Sequence, residues 1–127
     1  MKYGISKTTS LGYQQAIDKV TEELKKEGFG VLTTIDVKET LKKKLNVDFE
    51  DYIILGACNP PFAHKSLLAE RDLGLLLPCN VIVYEEDGKT FIAGVKPTLT
   101  MTMVGNQKLE KVAYEVERKL SKAIDSV

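Results

Sequence analysis

Two cysteines carry the most pointed chemistry in the sequence, and each sits beside an asparagine and a proline: Cys58-Asn59-Pro60 and Pro78-Cys79-Asn80. Two thiols at one place can form a redox pair, or one can act as a nucleophile once deprotonated, because the thiolate is the reactive form. The plain alternative is packing, since free cysteine is among the most buried residue types. A third chemistry adds His64, the sole histidine. With Cys58 and Cys79 it makes three ligands, the count of a catalytic zinc with an open position. No C-x-x-C or H-x-x-x-H spacing supports a metal, and no Ser/Asp arrangement around His64 suggests a hydrolytic triad. Asn59 and Asn80 add amide donors and acceptors at the same locus. Asn59 has a local role as a helix cap, whereas an Asn inside a strand is disfavoured, which makes Asn80 the odder of the two.

Whether the thiols meet depends on the elements around them. Tyr52 to Ala57, with Ile53, Ile54 and Leu55, reads as a buried strand that runs into Cys58. Asn59 then caps a helix with Pro60 at its first position, where the missing N–H costs nothing. That helix proceeds to about Glu70, and Cys79 to Tyr84 reads as the next strand. Eleven helical residues from Pro60 to Glu70 travel about 16 Å at 1.5 Å per residue. Seven extended residues from Arg71 to Leu77 return up to about 23 Å. If the two strands pair antiparallel, the end of one lies beside the start of the other, and the sulfurs are expected to face each other. Cys58 would stand just before a helix N-terminus, whose dipole favours a thiolate. Pro60 and Pro61 remove two N–H donors that a bound anion would use.

The remaining pattern supplies the frame. Lys2 to Ser6 reads as a first strand, and Ser10 as the N-cap of a helix with Tyr13, Ala16, Ile17, Val20 and Leu24 on its apolar face. Gly28 and Gly30 flank Phe29 and close it; Val31 to Ile35 is a β-branched strand, and Val37, Leu41 and Leu45 mark a short helix ending near Asn46. Asp87-Gly88 between two strand-like runs, Cys79–Tyr84 and Lys89–Val95, is a hairpin signal. Pro97 ends the second run, and Thr98 to Met103 alternates Thr with Leu and Met, as in a sixth short strand or an extended loop. Asn106 caps a last helix with Leu109, Val112, Ala113, Val116, Leu120 and Ile124 in one stripe. These elements predict a single α+β domain over residues 1–127, with two long helices on one face of a largely antiparallel sheet of about five strands.

Composition narrows the function classes. Eighteen Lys and Arg offset eighteen Asp and Glu, so no net field draws the chain to phosphate backbones or anionic membranes. Lys42-Lys43-Lys44 lies between Leu41 and Leu45 and reads as the wet side of a short helix. Neither nucleic acid nor membrane is an expected partner. No apolar leader segment and no membrane-spanning run is present, and two cysteines without a secretory signal point to a reducing compartment, the cytoplasm.

Gly56-Ala57-Cys58-Asn59-Pro60 with Ala63, His64 and Leu67, followed by Gly74-Leu75-Leu76-Leu77-Pro78-Cys79-Asn80-Val81, resembles the domain-of-unknown-function family numbered 302. The resemblance extends to Gly28-Phe29-Gly30-Val31, to the helix after Ile35-Asp36-Val37 and to Pro97, almost the whole chain. It implies a fold similar to the TATA-binding-protein type, β-α-β4-α with short inserted helices, and a homodimer. It supplies no activity, and fold alone does not transfer one. The residues point to a small binding or redox-accessory domain that presents Cys58 and Cys79, with Asn59, Asn80 and His64 beside them. The competing expectation is a non-catalytic interaction module that dimerises through its apolar sheet surface or an edge strand. Whether the protein is an enzyme is open, there being no paired-carboxylate or phosphate-loop signal, and these residues name no cofactor or ligand.

Overall fold

The computed structural model describes residues Met1–Val127. Five strands form one sheet: β1 (Gly4–Thr9), β2 (Gly30–Asp36), β3 (Tyr52–Cys58), β4 (Cys79–Glu86) and β5 (Lys89–Val95). Their spatial order is β1-β5-β4-β3-β2, and every neighbouring pair is antiparallel. The β4–β5 hairpin turns at Asp87 and Gly88, both with positive φ (53° and 76°). That backbone matches the right-handed twist of the strands it joins.

Two long helices, α1 (Tyr13–Lys26) and α5 (Glu110–Asp125), cover one face of the sheet. Their apolar stripes meet the inward residues Leu55, Val81, Val83 and Ile92, and Leu24, Leu120 and Ile124 are fully buried among them. Each such side chain contributes about 1.5–3 kcal/mol by leaving water. Gly94 lets α5 approach: a Cβ there would lie 2.7 Å from Ile124 Cδ1. Three shorter helices complete the β-α-β4-α order: α2 (Val37–Leu45), α3 (Pro60–Ala69) and α4 (Pro97–Val104).

Neither long helix covers the other sheet face. Its cross-strand rows are Ser6, Ala93, Ile82, Ile54 and Ile35, then Thr8, Phe91, Tyr84 and Tyr52. The rings of Tyr52, Tyr84 and Phe91 stack in series, with centroids 5.3 Å and 5.0 Å apart.

Several boundaries depart from the sequence reading. β1 continues to Thr9 because Thr8 and Thr9 pair with Phe91 and Thr90, which leaves Ser10 too early to cap α1. Gly12 occupies that position, and its N–H donates to Gln15 Oε1 at 3.1 Å. Arg71–Leu76 is not extended but coils as a 3-10 helix. Thr98 to Met103 is neither strand nor loop but most of α4. Pro97 is pre-set for a first helical turn, and the threonines bond backward, Thr100 Oγ1 to Pro97 O at 3.0 Å and Thr102 Oγ1 to Thr98 O at 2.9 Å. Asn106 accepts from Lys108 N but caps the 3-10 turn Gln107–Leu109 that leads into α5.

Candidate functional site

The end of β3 and the start of β4 do lie side by side, as expected, but one residue out of the expected register. Cys79 stands opposite Ala57, and Cys58 stands opposite Gly30 of β2. Residues directly opposite share a sheet face, while successive residues alternate. The Cys79 side chain therefore belongs to the helix-covered face with Ala57, whereas Cys58 holds the next position along, where the chain leaves the sheet for α3. The two cysteines are not cross-strand partners, and both are free thiols.

What unites them is a cavity. Both line a space of about 320 Å³ between the end of the sheet and the helices, with 15 of its 20 lining residues hydrophobic. Phe29, Ala57, Cys58 and Cys79 come from the sheet end; Phe62, Ala63 and Leu67 from α3; Val112, Ala113 and Val116 from α5. Met101 of α4 and Leu73 of the 3-10 segment complete it. Leu32, the extra residue where the β2–β3 register shifts between Val31 and Thr33, also reaches this space. No lining side chain is charged.

Two polar clasps hold the covering elements. Glu117 of α5 accepts from Thr98 N at 3.1 Å and from Thr98 Oγ1 at 2.6 Å, and so caps the start of α4 from outside. Asn106 donates to Ala69 O at 3.0 Å and to Glu70 Oε1 at 3.1 Å, which ties the end of α3 to the loop after α4. Gly56 lets the sheet end close: a Cβ there would fall 2.0 Å from Thr33 Oγ1 and 2.8 Å from Pro78 Cγ.

Asn59 precedes α3 as expected, yet its side chain caps nothing there. It is nine-tenths buried, and its Nδ2 donates to Glu27 O at 3.1 Å, so it locks the β3–α3 corner to the turn after α1. Ser66 is also buried on the cavity wall, with its hydroxyl donated to Phe62 O at 2.7 Å. Burial pushes the Cys79 thiol up to about 11, with Cys58 adding a smaller push in the same direction.

The remaining candidates lie elsewhere. Asn80 pairs with Gly56 on the uncovered face and is exposed. It borders a separate depression with Tyr3, Leu75 and Ile82. His64 is exposed on α3 and outside the cavity wall. No group of three or more His, Cys, Asp or Glu side chains is placed to hold a metal ion. The set Cys58, His64 and Cys79 is not such a group, because α3 turns its histidine to solvent. No helix is long and apolar enough to cross a membrane.

Most of the cavity wall escaped the sequence reading as a site. Val112, Ala113 and Val116 were legible as an apolar stripe, but a stripe does not say whether the space beside it is filled. Phe62 and Met101 gave no chemical signal at all.

The same architecture occurs in a crystal structure of an uncharacterized conserved DUF302 protein from Bacillus stearothermophilus. The two chains are 35% identical, with a TM-score of 0.93 over 99% of this chain and 98% of that one. No curated protein matches the sequence. The family described as domain of unknown function DUF302 matches residues 5–127, a span that holds the five strands but for Gly4 and the whole cavity wall, and the chain belongs to that family.

Proposed function

We propose that the protein is a binding domain that takes a small apolar molecule into the cavity beside Cys58, Asn59 and Cys79. The observation that carries this reading is the cavity itself, about 320 Å³ with a predominantly apolar wall and no charged side chain. Ligand sites are concave, mostly apolar and supplied with a few placed polar groups, at volumes from about 300 Å³ upward. A binding role is favoured over a redox one by the state of Cys79. Cys58 and Cys79 are not cross-strand partners, and the burial that raises the Cys79 pKa weakens that thiol as a nucleophile.

The test is titration with N-phenyl-1-naphthylamine, a neutral dye whose emission rises in apolar surroundings. Wild type is expected to bind it saturably at one site per chain, and Ala63→Phe, which fills the cavity from α3, is expected to lose at least tenfold in affinity while its circular dichroism is unchanged. Unsaturable binding, or equal binding by both proteins, would overturn the reading.

A second reading rests on a different observation. The sheet face opposite the two long helices exposes Ile35 (49% accessible) beside Ile54 and Ile82, with the ring stack of Tyr52, Tyr84 and Phe91 next to them. Apolar surface of this kind marks association, and a homodimer through it is compatible with an occupied cavity on the other side. Light scattering across protein concentration tests it: Ile35→Glu, an exposed change that leaves the core intact, is expected to convert dimer to monomer. A wild type that is monomeric at every concentration would exclude this association.

A further inference from the structure

We infer that the cavity takes single-chain amphiphiles with an anionic head, the apolar chain inside and the head held at the mouth by Lys65; this rests on the cavity being a binding site. Inside, a charge has no place. None of the lining side chains is charged, and an ionised group that gave up its water there would meet no opposite charge. A charged ligand must therefore leave its head where the wall meets solvent. Two lining residues mark that border: Leu32, which is 68% exposed, and Phe62, which is half-buried in the first turn of α3. The volume, about 320 Å³, is at the small end of ligand sites and suits one short chain.

The charge beside that border is positive. Lys65 follows Phe62 on α3, and its ammonium lies over the Phe62 ring, 5.8 Å from the centroid. A cation over an aromatic face is attracted by the ring's quadrupole, so a ring that lines the cavity also steadies a cation next to it. Lys65 is exposed, and no carboxylate pairs with it. Glu27, at the corner that Asn59 joins, is itself paired with Lys122 at 3.5 Å. The start of α3 competes poorly for an anion, because Pro60 and Pro61 lack N–H groups that it would otherwise offer. An anionic head therefore gains from Lys65, a cationic head is repelled, and an uncharged one is indifferent to it.

Three probes with one chain and different heads separate these cases: octanoate, 1-octanol and octylammonium, each used to displace N-phenyl-1-naphthylamine at pH 7 and low salt. Wild type is expected to bind octanoate tighter than octylammonium. Lys65→Ala, a change at an exposed position, is expected to weaken octanoate about two- to fivefold, the range that one exposed ion pair supplies, and to leave 1-octanol unchanged. Lys65→Glu is expected to reverse the order of the two ions, and about 0.5 M salt to narrow every difference between them. Equal binding of octanoate by wild type and Lys65→Ala, or tighter binding of octylammonium by wild type, overturns the assignment of the head. So does dye that none of the three displaces, and in each case the cavity reading stands if Ala63→Phe still excludes the dye. Dye binding that is indifferent to Ala63→Phe overturns both.

Discussion

Asn59 reaches across 32 residues of sequence to bond Glu27, its Nδ2 lying 3.1 Å from that residue's carbonyl oxygen. The bond joins two corners that flank the cavity, the turn after α1 and the entry to α3. Asn59→Ala removes the only side-chain donor to that carbonyl, and a typical intramolecular hydrogen bond contributes about 1 kcal/mol net. Urea unfolding should show a loss of about 1–2 kcal/mol with an unchanged slope, and a loss near zero would mean that the corners hold without the clasp.

Cys79 makes stability depend on alkaline pH. Its folded-state pKa, about 11, lies above the ordinary value of 9.0, so the folded state keeps a proton that the unfolded chain gives up. The contribution is complete below pH 9 and is lost as pH rises from 9 through 11; two units correspond to at most about 3 kcal/mol. Wild type should lose more stability than Cys79→Ala between about pH 8 and pH 11, by an amount up to that figure. Parallel losses would show that the thiol is not held protonated.

Glu117 serves as a cap borrowed from another helix, accepting from both the N–H and the hydroxyl of Thr98. Losing a helix cap costs about 0.5–2 kcal/mol. Glu117→Ala should fall in that range in chemical unfolding, while Glu117→Gln, which keeps an acceptor oxygen, should fall less. Equal losses in the two variants would assign the effect to packing.

How much of this was legible in the sequence depended on whether local pattern or tertiary fit decides the outcome. Asp87-Gly88 specifies a hairpin turn within itself, and the Leu120–Ile124 stripe needs only a helix period, so both were readable. Thr98 to Met103 misled because threonine favours strands by shape, whereas here its hydroxyls bond back along a helix started by Pro97. The cysteine corner was found, but register was not. One residue of offset sends Cys79 to Ala57 rather than Cys58, and nothing in the 20 residues between the two cysteines fixes that choice. Asn59 was placed correctly ahead of its helix, yet its partner Glu27 lies in a different corner, beyond the reach of any local rule.

Gly56 is required by its neighbours and not by its own dihedrals. A Cβ would meet Thr33 Oγ1 at 2.0 Å and Pro78 Cγ at 2.8 Å, and overpacking of this kind costs about 1–3 kcal/mol. Gly56→Ala should lose that amount, and Thr33→Ala in the same chain should recover part of it, leaving the clash with the proline ring. A double-mutant cycle checks the coupling; strict additivity would mean that Thr33 simply rotates away.

An apolar molecule is expected to enter between the sheet end and the helices, not onto the uncovered sheet face. Methyl-labelled NMR during titration with N-phenyl-1-naphthylamine separates the two directly. Ala63, Ala113, Val112 and Val116, which line the cavity, are expected to shift together and saturate at one equivalent, while Ile35, Ile54 and Ile82 stay still. Shifts confined to those three isoleucines, with the four cavity methyls unmoved, would contradict it.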